Sequence, residues 1–404
     1  LHYTCGAVHD CMVVGERWLP CMMNSAVALC NKLLDVQSRA PAGATRLDLP
    51  MFVVVGAQSS GKSSVLDNII GRSFLPRGSG TVTRRPLNLM MQRCDEEYVE
   101  FGHLPGERFT QDADMCAARP KSRRSLSLCF CILRCGSAVA PFGSALARAR
   151  AACAMTLGWL TLAPGRPRVA RSARAIEEAT LSECGPTGFS SRPISLTYYS
   201  PEVTELALVD LPGVIQTAAE DMDARAPEKI RSMVTEFATR RNAILLAVTP
   251  ATEDIVNSMA IRIARECDPR QERTLGVITK LDLMDDGTDC AKALRNEDSR
   301  APKLRLGYVG VVNRGQADIN KGMDLNGARA REEQWFAAPQ QAAYREGAMR
   351  LGTNALIATS SQLLEEHVAR CLPDLRQAVE QALRHASSKL AELKPRMDPS
   401  LRAL

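Results

Sequence analysis

Short apolar runs alternate with amphipathic segments through the middle of the chain. Uninterrupted apolar runs, which are typical of buried parallel strands, lie at residues 51–55, 206–209, 243–248, 275–278 and 308–312. Segments with apolar residues at helical spacing lie between them, notably 227–241 and 255–266. This alternation predicts an α/β domain with a doubly wound, mostly parallel sheet from about residue 45 to 320.

Helical patterns flank this region on both sides. Residues 21–38 repeat apolar side chains at helical spacing, and two prolines and a glycine in the following PAGATRLDLP end that helix. From about residue 334 to 393 the pattern is again helical. Pro373 predicts a bend there, because proline blocks one intrahelical hydrogen bond. We therefore expect the α/β domain to be flanked by helices on both sides.

The composition is that of a globular protein. The 404 residues are 45% hydrophobic and 24% charged, which excludes a largely disordered or fibrous chain. No run of about 18 apolar residues predicts a membrane-spanning helix, and the start lacks the pattern of a signal peptide. Fourteen scattered cysteines without paired spacing are expected to be reduced thiols. Because the first residue is Leu1 and not Met, we expect a fragment or a processed chain.

The positive charge of the chain is confined to one segment. Residues 115–176 contain ten arginines and Lys121 but no Asp or Glu. Removing these eleven from the 51 basic residues leaves 40, against 45 acidic residues, so the net charge of +6 comes from this segment alone. A nucleic-acid-binding function based on overall charge is therefore not expected.

The segment GAQSSGKS after the first predicted strand fits the G-x4-G-K-S pattern of a phosphate-binding loop. Its glycines let backbone N–H groups surround phosphates, and the helix that begins nearby contributes its positive end. Lys62 is expected to reach the β- and γ-phosphates, and the Ser63 hydroxyl is expected to bind Mg²⁺.

Polar motifs also follow the later predicted strands. Asp210 begins DLPG, where a carboxylate can hold Mg²⁺ through water and the N–H of Gly213 can meet a γ-phosphate. Asp282 ends TKLD, where it can accept from guanine N1–H and N2–H together, a pair that adenine lacks; the stem of Lys280 can lie across the base. Asn313 follows the last strand, beside Arg314, where it can close over base and ribose. Since ligands bind at the carboxyl ends of strands in open α/β sheets, this order predicts a GTP-binding domain.

The chain resembles the dynamin family of large GTPases over about residues 25–117 and 176–393. The resemblance is carried by QSSGKSSVLDNIIGRSFLPRGSGTVTRRPLNL, LALVDLPG, ILLAVTPATEDI, DPRQERTLGVITKLDLMDDGTD and GYVGVVNRGQADIN. It implies a P-loop GTPase domain that uses GTP and Mg²⁺, releases GDP and phosphate, is stimulated by G-domain homodimerisation, and takes part in membrane fission or organelle division.

The resemblance also assigns residues to roles. Catalytic roles fall to Gln58, Ser59, Lys62, Thr83 and Gly213. Nucleotide contacts fall to Ser59, Ser60, Gly61, Lys62, Ser63, Ser64, Arg77, Gly78, Lys280, Asp282, Asp285, Asn313, Arg314 and Gln316. Mg²⁺ would be held by Ser63, Thr83 and Asp210, and a Na⁺ or K⁺ ion in place of an arginine finger by Ser59, Gly78 and Gly80. Asp254 matches a residue that reaches across the G-domain dimer.

The resemblance further predicts how the chain is divided. The expected parts are an N-terminal bundle helix at 21–40, a G domain at 45–372, a C-terminal bundle helix at 373–395 and, at 396–404, the start of a stalk that is otherwise missing. A cytoplasmic protein peripheral to organelle membranes (mitochondrion, peroxisome or plastid) is implied. It would contact membranes through the missing stalk and lipid-binding regions, with microtubules as a further partner and nucleic acid as none.

The main departure from the family is length. Thr83 and Asp210 are 127 positions apart, well beyond the family's spacing, and the excess coincides with the basic segment 115–176. Three explanations stay open: non-coding sequence or a faulty gene model, a tolerated disordered loop, or a basic loop for anionic lipid. The alternative function is accordingly a nucleotide-binding assembly fragment with impaired or no turnover.

Overall fold

The computed structural model describes residues 20–39, 47–72, 75, 83–110, 171–185, 188–218, 222–285 and 289–393. In these residues the strands are β1 (Met51–Gly56), β2 (Leu87–Arg93), β3 (Tyr98–Phe101), β4 (Leu104–Thr110), β5 (Ile194–Ser200), β6 (Leu206–Asp210), β7 (Ala243–Pro250), β8 (Thr274–Thr279), β9 (Tyr308–Gly310) and β10 (Arg350–Leu351). The helices are α1 (Pro20–Arg39), α2 (Lys62–Ile70), α3 (Arg171–Cys184), α4 (Ala226–Ala238), α5 (Met259–Cys267), α6 (Ala291–Leu294), α7 (Gln316–Asn320), α8 (Leu325–Ala337) and α9 (Gly352–Leu393). Turns of 3-10 helix lie at Ile255–Asn257, Leu281–Leu283 and Pro339–Arg345.

The described strands form one sheet in the order β10-β9-β8-β7-β1-β6-β2-β5-β3-β4. From β10 to β6 every neighbouring pair is parallel, whereas β2 runs antiparallel to β6 and β3 antiparallel to β5 and β4. All six residues of β1 are buried, as expected for a central strand covered on both faces. The predicted class, a doubly wound, mostly parallel α/β sheet flanked by helices, is confirmed.

The five predicted strands all lie in this sheet, each within one or two residues of its predicted limits. The four strands from β2 to β5 were not predicted. Segments such as LNLMMQR and ISLTYYS mix polar and apolar residues, so that neither a continuous apolar run nor strict alternation identifies them. Their pairing is also non-local, since β2 lies beside β5, about a hundred residues further along the chain.

The helical region predicted for 334–393 is wrong over its first part. Helix α8 ends at Ala337, Pro339 begins a 3-10 turn, and the short strand β10 follows. Gly352 then has a left-handed φ of +84°, a conformation that other residues rarely adopt. From there α9 is continuous to Leu393 with Pro373 inside it. The expected domain limits at 372/373 and 395/396 stay predictions.

The basic segment ends earlier than its charge pattern suggested. Residues 171–176 belong to α3, in which Ala175 and Ile176 are buried, so the expectation of disorder is wrong for this end. The guanidinium of Arg85, itself buried, donates to the carbonyl oxygen of Ala179 at 2.7 Å and to that of Arg192 at 3.0 Å. Residues 115–170 lie outside the described part of the chain.

The N-terminal helix α1 matches its predicted position and packs against α9. Its Asn31 side chain donates to the carbonyl oxygen of Met91 in β2 at 3.2 Å. Burial, with Cys371 of α9 as a smaller contribution, raises the pKa of Cys30 to about 11. Among the helices that the structure describes, none combines the length and apolar character needed to span a membrane.

Gly276 of β8 provides a test of the packing of the sheet. It pairs with Tyr308 of β9, and a Cβ atom at Gly276 would lie 2.2 Å from the Tyr308 ring. Gly276→Ala should therefore lower the free energy of unfolding by about 1–3 kcal/mol, because the ring must move within a close-packed core. Urea denaturation measures this, and the same glycine substitution should cost less in a Tyr308→Val background, where the ring is absent. An unchanged midpoint in G276A would contradict this packing.

Candidate functional site

The loop between β1 and α2 has the backbone form of a phosphate cradle. Gly61 has a left-handed φ of +95°, and Ser59 adopts a left-handed φ of +62° without being glycine. A Cβ atom on Gly56 would lie 2.8 Å from the carbonyl oxygen of Val248, so a larger residue cannot replace it without a shift. Helix α2 begins at Lys62, so its free N–H groups face the loop.

Lys62 is enclosed by its own loop. Its Nζ donates to the carbonyl oxygens of Gly56 at 3.1 Å and Ala57 at 2.9 Å, and the residue is 7% exposed. Burial lowers the pKa of Lys62, and the charge of Asp210 opposes this shift. The ammonium group is thus held at the loop, close to where anionic oxygens would enter.

The three residues expected to hold Mg²⁺ meet at one small cavity. Ser63, Thr83 and Asp210 all line it, and the Thr83 hydroxyl donates to Oδ2 of Asp210 at 3.4 Å. Oδ1 of Asp210 is buried and has no hydrogen-bond partner among the residues that the structure describes. Burial raises the pKa of Asp210 to about 6, against the opposing effects of Lys62 and Thr83. Hydroxyl and carboxylate oxygens with an unsatisfied acceptor fit a hard divalent cation such as Mg²⁺.

The DLPG segment lies directly against the phosphate loop. A Cβ atom on Gly213 would be 2.9 Å from Cα of Gln58 and 3.1 Å from Nζ of Lys62. The backbone N–H of Gln58 donates to the carbonyl oxygen of Val214 at 3.2 Å, and Val214 N–H donates to Gly56 at 3.0 Å. Only glycine leaves room for this approach, so Gly213, the residue expected to meet a γ-phosphate, lies against the loop and beside Lys62.

TKLD, at the end of β8, holds the other side of the loop. The Thr279 hydroxyl donates to the carbonyl oxygen of Ser60 at 2.7 Å, and Nζ of Lys280 donates to that of Ser59 at 2.8 Å. Asp282 is half-buried, and burial raises its pKa, with Arg331 of α8 opposing the shift. The guanidinium of Arg331 lies 3.8 Å from Asp282 Oδ2.

The last predicted motif joins the same end of the sheet. Oδ1 of Asn313 accepts from the Asn68 side chain at 2.5 Å, and Arg314 donates to the carbonyl oxygen of Met323 at 2.7 Å. Ser64 lies in the first turn of α2, and Gln316 begins α7, immediately after this loop.

The structure describes some of the residues expected to contact a dimer partner, the nucleotide or a monovalent ion, and not others. Asp254 caps a 3-10 turn through Val256 N–H at 3.2 Å, and it lines an open cavity together with Asp285. Their predicted dimer and nucleotide contacts are expectations that the single chain leaves untested. Arg77, Gly78 and Gly80, expected to contact nucleotide and a monovalent ion, lie outside the described residues.

Sequence reasoning missed four residues, one in β8 and three in α8, that contact the site residues or their neighbours and hold them in place. Thr279 stood within a recognised motif without an assigned role. Arg329, Arg331 and Glu332 of α8 respectively contact Asn68, Asp282 and the backbone at Val312. No local pattern in ARAREEQWFA marks these three, because their partners come from distant parts of the chain.

Comparison with known proteins gives matches along most of the chain. The family model "Dynamin family" matches residues 52–126 and 166–281, and the model "Dynamin central region" matches 289–403. The unmatched stretch 127–165 is narrower than the basic segment expected at 115–176.

Curated relatives agree with these models. Dynamin-1 from Bos taurus and from Homo sapiens are each 37% identical over 372 residues, which is 92% of this chain and 36% of the relative. Dynamin-3 from Mus musculus is 39% identical over 355 residues, which is 88% of this chain and 34% of the relative. The chain therefore spans about a third of the length of these relatives.

Thr279 offers a direct test of how the loop is held. Thr279→Val keeps the shape but removes the hydroxyl that donates to Ser60, leaving a buried carbonyl oxygen with one donor fewer. We expect a loss of about 1–3 kcal/mol in the free energy of unfolding. Thr279→Ser, the matched control, keeps the donor and should lose less. Urea denaturation compares the two; equal stabilities would contradict this role of the hydroxyl.

Proposed function

Since the chain belongs to the dynamin superfamily of large GTPases, we propose that it binds GTP and hydrolyses it to GDP and phosphate. One observation carries the proposal. The phosphate loop, Asp210, Gly213 and the TKLD segment converge at the carboxyl ends of neighbouring parallel strands. This arrangement supports the proposal, because it would place phosphate donors, a divalent-cation site and a guanine acceptor close together.

Lys62 and the start of α2 would supply the positive charge that the phosphates require. The Lys62 ammonium donates two of its three possible hydrogen bonds to loop carbonyl oxygens, so the loop itself holds it in place. Electrostatic stabilisation is strongest when such donors are fixed in advance and shielded from water. Ser63, Thr83 and Asp210 would hold Mg²⁺, whose charge would offset that of the phosphates.

Gln58 is the proposed water-orienting side chain. The position after DLPG, where Ras-type GTPases place their glutamine, is occupied here by the apolar Val214. Gln58 is half-buried, and its Cα lies next to Gly213, where a γ-phosphate would be bound. Thr83 would fix the water from the other side, and a Na⁺ or K⁺ ion beside Ser59 would offset charge developing on the leaving oxygen.

Beyond the hydrolytic site, we infer a role in membrane fission or organelle division. The proposal includes a transition-state G-domain dimer with Asp254 reaching the opposite site, and a cytoplasmic location at organelle membranes. Membranes would be contacted through regions of the longer protein, and microtubules are a further proposed partner. The alternative is a nucleotide-binding assembly fragment with impaired or no turnover, caused by the basic segment and the missing stalk. It predicts GTP binding with little or no phosphate release in a single-turnover assay, and if the segment is the cause, removal of residues 127–165 should restore release.

Asp282→Asn tests the guanine site. Asn offers one acceptor and one donor, so the pair of bonds to N1–H and N2–H of guanine is lost, at about 1.5–3 kcal/mol for each bond to a charged group. Xanthine has a carbonyl where guanine has the 2-amino group, so the Asn amide can donate to it. We therefore expect weaker GTP binding and stronger xanthosine triphosphate binding, both measured by titration calorimetry.

Lys62→Ala is the control. It should weaken the binding of GTP and of xanthosine triphosphate alike, because the two nucleotides carry the same phosphates. If Asp282→Asn leaves the preference for GTP over ATP and xanthosine triphosphate unchanged, Asp282 does not contact the base.

Ser59→Ala tests the proposed monovalent ion. The parent protein should hydrolyse GTP faster in NaCl or KCl than in tetramethylammonium chloride, because only the small ions fit between oxygens of the loop. The variant should lose this difference and retain most of its GTP affinity. Gln58→Glu should instead slow turnover in all three salts. Equal parental rates in the three salts would exclude a bound monovalent ion.

A further inference from the structure

Glu332 is a buried carboxylate in helix α8, and it has no place in the chemistry described above. It is 3% exposed. Its Oε1 accepts from the N–H of Val312 at 2.7 Å, and its Oε2 accepts from the N–H of Thr353 at 2.7 Å. The Thr353 side chain also bonds to the carboxylate. One side chain therefore links the end of β9 to the first turn of α9.

The location of these two partners gives the link its importance. Val312 directly precedes Asn313 and Arg314, the loop expected to close over base and ribose. Thr353 directly follows Gly352, whose left-handed backbone begins the 42-residue helix α9. Even a Cβ atom on Gly352 would lie 3.5 Å from Glu332 Oε2, so the chain passes close to the carboxylate at this point.

Other side chains of α8 contact the same end of the sheet. Arg329 donates to the carbonyl oxygen of Asn68 at 2.9 Å, and the Asn68 side chain in turn donates to Asn313. Arg331 lies 3.8 Å from Asp282 and is also paired with Asp318, which accepts from Gly315 N–H at 3.0 Å. Helix α8 thus contacts both base-recognition loops, and Glu332 is its connection to α9.

We propose that Glu332 is a positioning residue for guanine recognition, holding the Val312–Arg314 backbone against the first turn of α9. The proposal rests on the proposed GTP-binding function and extends it to a residue outside every motif. Because both bonds end on one buried carboxylate, a nucleotide that fixes the base loop also fixes the Thr353 amide. Glu332 would act through this backbone and not by contact with the nucleotide, so phosphate binding should not depend on it.

Glu332→Gln is the first test, because it keeps the size but turns one acceptor oxygen into a donor that faces another N–H. Glu333→Gln is the matched control: Glu333 is exposed and, within the described part of the chain, accepts from the Asn354 side chain at 3.4 Å. We expect amide hydrogen exchange at Val312 and Thr353 to accelerate about tenfold or more in E332Q and to stay unchanged in E333Q.

Nucleotide binding separates positioning from a general structural role. In E332Q the affinity for GDP should fall about tenfold, and the KM for GTP should rise with little change in kcat. Affinity for inorganic tripolyphosphate with Mg²⁺, which occupies only the phosphate loop, should match that of the parent. An equal loss for GDP and tripolyphosphate, or no loss of GDP affinity, would overturn the proposal.

The parent protein alone gives an independent test if E332Q does not fold. GDP should slow exchange at both Val312 and Thr353, and slowing at Val312 alone would overturn the proposal. A parent that binds neither GTP nor tripolyphosphate would instead overturn the proposed function. Equal exchange at the two amides in nucleotide-free E332Q and parent would contradict the Glu332 link whatever the nucleotide result.

Discussion

The parallel alignment of β1 with β6 and β7 is the constraint on which the site depends. Val54 lies opposite Asp210, and Gly56 lies opposite Val248, so the phosphate loop leaves the sheet beside Asp210, the proposed Mg²⁺ ligand. A slip of one residue would turn every side chain of β1 to the other face and separate Lys62 from Asp210. Complete burial of β1 on both faces makes such a slip costly. One register of β1 is thus required both for the packing of the core and for the geometry of the site.

Sequence alone identified the parts of the site that are local in the chain. The phosphate loop, DLPG and TKLD each occupy a few consecutive residues after a strongly apolar run, so their backbone and their chemistry can be read together. Two features of the site became visible only in the structure. Lys62 donates to carbonyl oxygens of its own loop, and Oδ1 of Asp210 has no partner among the described residues; both depend on burial, which the sequence does not show. The mixed edge of the sheet, in which β2 is parallel to β5 and β3 is antiparallel to β5 and β4, was missed because it depends on pairing between distant segments.

Helix α3 joins the described chain that follows the basic segment to the residues next to Thr83. Arg84 and Arg85, the two residues after Thr83, donate to carbonyl oxygens at Gly185, Ala179 and Arg192. Ile176 and Thr180 of α3 line the same small cavity as Ser63 and Asp210. Helix α3 is therefore bonded to the segment that follows Thr83 and lies beside the proposed cation site. Charge pattern placed this boundary wrongly because buried apolar residues, not acidic ones, mark it.

Ser59 and Lys280 share a feature with a kinetic consequence. Both have left-handed backbone without being glycine, and Nζ of Lys280 bonds to the carbonyl oxygen of Ser59. Such conformations cost about 1–3 kcal/mol each and persist only where surrounding contacts enforce them. The conformational free energy needed to order these two loops is therefore supplied by folding and does not reduce the affinity for a ligand. Association would then need little rearrangement, and differences in residence time would account for most of the discrimination between one nucleotide and another.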